Sequence, residues 1–152
     1  MGNSEYRDQP NVLRELILDH YQYPHHHKLV RAETYQSVHM ASDSCIDDIT
    51  VEARIADGKI LDINFEGAAC AISTASTSMM SDLLIGKTKE EAQALITNFL
   101  HMVHEEEYNP DTLEEAIALK NVYRQANRIK CATIGWTAIQ KLLEKEDENG
   151  RK

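Results

Sequence analysis

The sequence predicts an α+β fold, and three observations carry that prediction. Apolar residues recur at helical spacing near the start and throughout the second half, while residues 49–66 alternate apolar and polar with a period of two. Asp57-Gly58 sits between two such alternating runs; this dipeptide favours the positive φ angles of a two-residue hairpin turn. The 152 residues suit one domain spanning 1–152, with an ordered core over about 8–145 and flexible ends at 1–7 and 146–152.

Taken in order, Asn11 to Tyr21 reads as a helix, with Val12, Leu13, Leu16, Ile17 and Tyr21 on its apolar side. Asp8 or Asn11 can cap it and Pro24 bounds it. His25, His26 and His27 follow in what reads as a solvated loop, able to take up metal adventitiously. Tyr35 to Met40 is a candidate edge strand. Residues 49–56 and 59–66 form the hairpin, ended by Gly67.

Ala71 to Ile85 reads as a helix whose first half is made of small residues and can pack close to its neighbours; Gly86 stops it. Thr88 and Glu91 make a capping box for a helix through about His104. Glu105, Glu106 and Glu107 read as a solvated acidic run, and Asn109-Pro110 starts a short helix with Leu113, Ala116 and Ile117 on one side. Residues 122–129 read as irregular or a single turn. The last helix is predicted over Ala132 to Lys145.

The net charge of −9 argues against nucleic-acid or anionic-membrane binding, and fits docking on a more basic partner. No run of eighteen apolar residues occurs, and the first residues are polar without a signal-peptide core, so a cytoplasmic location is expected. There, three cysteines imply reduced thiols.

Those cysteines are the chemistry-bearing residues. Twenty-four residues separate Cys45 from Cys70, and sixty separate Cys70 from Cys131, with no paired Cys-x-x-Cys. By spacing alone they read equally as small buried hydrophobes. Local context points instead to a metal. Cys70 and Cys131 fall at predicted helix starts, where backbone N–H groups favour a thiolate. Arg128 and Lys130 precede Cys131 and favour the same charge. Cys45 lies among Asp43, Asp47, Asp48 and serines, an unsuitable place for a core residue. A residue two positions away shares its side, so Asp43 and Asp47 are both eligible as a fourth ligand.

At these positions the chain resembles the U-type iron–sulfur assembly proteins, IscU and its zinc-bearing relative SufU. The resemblance spans roughly residues 8–145. It rests on Leu18-Asp-His-Tyr21 with Pro24, Cys45-x-Asp47, Phe65-Glu-Gly67, Cys70-x-Ile-Ser73, Ala75-Ser76, Ser78-Met-Met80 and Arg128-Ile-Lys-Cys131-Ala-Thr. Lys130, where IscU-type scaffolds carry histidine, and an insertion at about 105–124 resemble the SufU branch.

The resemblance implies a small three-stranded antiparallel sheet packed by four to six helices. It also implies a zinc ion on Cys45, Asp47, Cys70 and Cys131, which chooses Asp47 over Asp43. Arg128 would offset the site's negative charge and steady Asp47, while Lys130 would face solvent or a partner. The implied activity is that of a sulfur carrier, sulfurtransferase in type: Cys45 accepts sulfur from a PLP-dependent cysteine desulfurase (SufS-like) and passes it to the iron–sulfur assembly scaffold. Two alternatives stand beside it. One is a scaffold holding a transient [2Fe–2S] cluster or iron on the same ligands. The other is a degenerate structural zinc module, motivated by Asp43 and Ile46 where the family has proline and glycine. With four protein ligands the shell is closed, which disfavours zinc hydrolysis.

Overall fold

The computed structural model describes residues 9–41 and 46–150, with side chains to 146. Among the described residues, four α-helices accompany a three-stranded sheet: α1 (Pro10–Gln22), β1 (Gln36–Ala41), β2 (Asp48–Ala56), β3 (Lys59–Ala68), α2 (Ala71–Leu84), α3 (Lys89–Val103) and α4 (Ala126–Gly150). Three short 3-10 turns, at Pro110–Thr112, Glu114–Leu119 and Val122–Arg124, lie between α3 and α4. The sheet is antiparallel in the order β1-β2-β3, which confirms the α+β class.

The hairpin turns at Asp57 (φ +54°) and Gly58 (φ +76°), as its sequence requires. Gly67 does not end the sheet. It lies within β3 opposite Ile49 with φ +128°, and a Cβ there would stand 2.3 Å from the Asp48 carbonyl oxygen. The glycine is needed for close strand approach rather than for termination.

Alternation predicted an outward Glu52, yet Glu52 is buried. The loop from α1 to β1 crosses the outer face of the sheet, and Glu52 is its anchor. Its carboxylate accepts the backbone N–H groups of Val30 (2.7 Å) and Arg31 (3.0 Å) and the Asn64 amide (3.0 Å). A buried carboxylate is tolerated because it is hydrogen-bonded this fully.

In α1 the buried positions are Leu13 and His20, while Tyr21 is exposed. The stripe 13-16-17-20 replaces the expected 13-16-17-21. Pro10 occupies the first turn, and Gln9 at the N-cap makes no side-chain cap hydrogen bond; Asp8, one expected cap, lies outside the described residues, and Asn11, the other, lies within the helix. The Thr88–Glu91 capping box forms with both of its hydrogen bonds. The acidic run 105–107 is exposed as expected. The segment 105–124 packs Leu113, Ala116, Ile117, Leu119 and Val122 into the core, and Asn98 holds it by exchanging two hydrogen bonds with the backbone of Asn109 (2.7 and 2.8 Å).

Helix α2 is the buried centre: every residue from Ser73 to Ser81 is buried. Five of these carry hydroxyls besides Ser73. Thr77 and Ser81 donate to the carbonyls of Ser73 and Thr77 (2.8 and 2.9 Å), so their polarity is satisfied within the helix. Ser76 accepts from the Trp136 indole (2.9 Å) and donates to the Ala132 carbonyl (2.5 Å), bridging α2 to α4. Trp136 also stacks on Phe99 of α3 at 3.8 Å. The expected close packing is realised at Gly135, where a Cβ would lie 2.5 Å from Thr77 Oγ1.

Helix α4 starts earlier than expected, at Ala126, and runs to Gly150. Ala126, Arg128 and Lys130 are good helix formers and no breaker follows, so a turn precedes Cys131.

Two stability predictions follow from this packing. Gly135→Ala gains about 1 kcal/mol of helix propensity, but overpacking against Thr77 costs about 1–3 kcal/mol. The expected result is a lower urea midpoint, partly restored in the Thr77→Ala/Gly135→Ala double variant. Glu52→Ala strands three donors, and chemical denaturation should show a loss of about 3 kcal/mol or more.

Candidate metal centre

Asp47, Cys70 and Cys131 come together from three elements. One donor atom from each lies within 4.8 Å of the others. Asp47 is the residue before β2, Cys70 caps α2, and Cys131 lies in the second turn of α4. Asp47 and Cys131 are buried, and Cys70 is half-buried. Cys45, the fourth residue the sequence points to, lies outside the described residues, as does Asp43.

Each position has a local cause. The Cys70 sulfur accepts the Ser73 N–H at 3.4 Å, the bond that a capping side chain makes at a helix start. Its backbone N–H in turn donates to Asp47 Oδ1 at 2.8 Å. Asp47 thus binds the start of α2 with its carboxylate, where the helix dipole favours negative charge. Cys131 differs from expectation. With α4 beginning at Ala126, it is an interior helical residue, its thiol 3.9 Å from the Asn127 carbonyl, and not at the helix terminus. Only Cys70 therefore has the helix-start environment foreseen for both.

Arg128 is half-buried, three residues before Cys131 and so on the same side of α4. Lys130 is exposed, as expected. Ile46, where the family has glycine, is 70% exposed. The Ser73 hydroxyl, in the first turn of α2, is a buried group without a hydrogen-bond partner among the described residues.

The donor set fits zinc. Cys70 Sγ and Asp47 Oδ2 are 4.0 Å apart. Tetrahedral zinc with sulfur at about 2.3 Å and oxygen at about 2.0 Å needs about 3.5 Å between them. A side-chain adjustment of half an ångström, in order of magnitude, closes the gap.

Sequence reading missed a second grouping. His20, His25 and Asp82 also place donor atoms within 4.8 Å of one another. The histidine loop is not simply solvated: His25 and His26 contact Asp82, and His27 packs on Phe65 at 4.8 Å between ring centroids. The 13-16-17-20 spacing was the available signal for His20.

Residues 12–147 match the family model described as the NifU-like N terminal domain. An iron–sulfur cluster assembly scaffold protein IscU of Streptococcus pyogenes serotype M1 is 40% identical over 132 residues, covering 86% of this chain and 81% of that one. A zinc-dependent sulfurtransferase SufU of Bacillus subtilis is 36% identical over 138 residues, covering 90% and 92%. Among solved structures, a candidate iron–sulfur cluster assembly scaffold protein for the SUF system from Fervidobacterium islandicum AW-1 superposes with a TM-score of 0.77 at 32% identity, covering 85% and 94%. No helix among the described residues is long and apolar enough to cross a membrane.

Asp47 has a structural role separable from metal binding. In metal-free protein, Asp47→Ala removes the acceptor for the Cys70 N–H and should cost about 1 kcal/mol. Asp47→Asn keeps an oxygen there and should cost less. Thermal melts with chelator present check the order.

Proposed function

Because the chain belongs to the NifU-like N-terminal domain family, whose IscU and SufU members serve iron–sulfur cluster assembly, we propose that it is a zinc-dependent sulfur carrier of the SufU type. The observation that carries this reading is the convergence of Asp47, Cys70 and Cys131 within 4.8 Å. Cys45 completes the proposed ligand set. Bound there, zinc would keep the thiols deprotonated at neutral pH.

The chain's own residues divide the work. Asp47 and Cys70 are held to one another at the start of α2, and Cys131 is fixed within α4. Cys45 belongs to the segment between β1 and β2, and is the proposed acceptor. Its thiolate attacks the outer sulfur of a persulfide on a PLP-dependent cysteine desulfurase. The new bond joins that sulfur to Cys45 while the donor S–S bond breaks, and the desulfurase cysteine leaves as thiolate. The proton stays on the transferred sulfur, and no net oxidation occurs. The persulfide then passes to the iron–sulfur assembly machinery. The acidic surface, net −9, would favour a basic face on the partner.

A second reading is a scaffold for a transient [2Fe–2S] cluster on the same ligands, favoured by the 40% identity to a relative named as such a scaffold. Zinc, iron and acid-labile sulfide are measured in untagged protein purified without oxygen. Cys45→Ala, Asp47→Ala and a His25–His27 triple-alanine variant are compared. About one zinc per chain, retained by the triple-alanine variant and weakened by Asp47→Ala, is the expected result. Incubation with persulfidated desulfurase should then add one sulfur to Cys45, read by peptide mass. Iron with labile sulfide would move the assignment to the scaffold. Zinc without sulfur transfer would leave a structural module.

A further inference from the structure

We propose that the chain has a second divalent-metal site, built from His20, His25 and Asp82 with Glu115 beside them, taking a zinc-class ion on imidazole and carboxylate ligands. It lies towards the other end of α2 from the cysteines. Cys70 and Asp82 are twelve residues apart on one helix, about 18 Å along its axis.

The geometry is that of a ligand cluster. The donor atoms of His20, His25 and Asp82 lie within 4.8 Å of one another and come from α1, the following loop and α2. Glu115, in the 3-10 turn Glu114–Leu119, brings Oε1 to 2.7 Å from His20 Nε2. Two imidazoles with carboxylates suit zinc, cobalt or nickel rather than magnesium or calcium.

The supporting contacts are those that orient metal ligands. His20 is 3% exposed, and its Nδ1 lies 2.7 Å from Ser78 Oγ. A hydrogen bond to one ring nitrogen fixes the ring's orientation, and the other, Nε2, meets Glu115. The same Ser78 oxygen accepts the His25 backbone N–H at 2.8 Å, which seats that loop residue on α2. Beside the cluster is a cleft of about 250 Å³ lined by His25, Met79, Asp82, Leu83, Glu114 and Glu115.

The electrostatics ask for a cation. Asp82 sits in the last turn of α2, where the helix dipole disfavours a carboxylate, and no basic residue of that turn offsets it. Its compensation comes from His25 Nδ1 at 2.5 Å and His26 Nε2 at 3.2 Å. A divalent ion would neutralise Asp82 and Glu115 together and would tie α1, α2 and the 110–119 segment into one unit.

The test is a cobalt(II) titration of the metal-free, reduced full chain, followed by absorption. Thiolate-to-cobalt charge-transfer bands report the cysteine site, and the nitrogen–oxygen site shows only ligand-field bands. The expected outcome is a second equivalent without thiolate bands. Asp82→Asn and His25→Ala should each weaken it about tenfold or more, while the thiolate bands and helical circular dichroism persist. His27→Ala, outside the cluster, should leave it intact. Zinc in place of cobalt should slow amide exchange in residues 110–119 of the wild-type chain and not of Asp82→Asn. Absence of a second equivalent overturns the proposal. So does a second equivalent that survives Asp82→Asn, or that His27→Ala removes equally. Loss of the thiolate bands alone would instead count against the cysteine site.

Discussion

The contact between α2 and α4 at Thr77 and Gly135 is the constraint on which the rest depends. Gly135 has no side chain because the Thr77 side chain fills that space. Helices normally pack 8–10 Å apart, with the distance set by the residues at the contact. Glycine on one helix and small hydroxyl residues on the other allow this pair to approach closely. Cys70 and Cys131 stand at the same side of the crossing, seven and four residues before Thr77 and Gly135. Their sulfur atoms can therefore meet across the interface. The bridge from Trp136 and Ala132 through Ser76 fixes rotation about the contact, because a hydroxyl must satisfy donor and acceptor together.

A hydroxyl-rich buried helix looks like a poor choice for a core. It works because Thr77 and Ser81 return their hydrogens to carbonyls one turn back, leaving no unmet donor. The lost apolar burial is recovered by Met79, Met80, Leu83 and Leu84 in the same helix and by the Phe99–Trp136 stack. The Ser73 hydroxyl, without a hydrogen-bond partner among the described residues, is the exception, and it lies in the turn that Cys70 caps. Packing is thus traded for proximity where the candidate centre forms.

Local signals in the sequence were legible where one or two residues decide a backbone shape. Asp57-Gly58 specifies its turn and Thr88 with Glu91 specifies its cap; both need only neighbours in the chain. Cys70 at a helix start was legible for the same reason. What could not be read depends on distant partners. Gly67 looks like a strand terminator, and only the Asp48 carbonyl across the ladder gives its true role. Glu52 looks solvent-facing until the loop at Val30 and Arg31 folds over it. Gly135 gave no signal, since a glycine in a helical pattern acquires meaning only from Thr77. The start of α4 was misjudged because the turn before Cys131 has helical propensity but little apolar patterning. Of the candidate ligands, Cys70 and Cys131 stood out by local context and Asp47 was preferred to Asp43 only through the family resemblance, whereas His20 was obscured by Tyr21 as a more apolar neighbour.

The two ends of α2 show why the candidate centre holds its shape and the proposed one is tunable. At the start of the helix, Asp47 accepts the Cys70 N–H and aligns its charge with the dipole. That arrangement is favourable before any ion arrives, so the ligands are preorganised. At the end of the helix Asp82 opposes the dipole, and its stabilisation comes from His25 and His26. Imidazole N–H groups or a cation can offset the carboxylate there. A helix held at one end by backbone geometry and at the other by exchangeable charge can keep its cysteines in place while the loop and the 110–119 segment respond to what is bound.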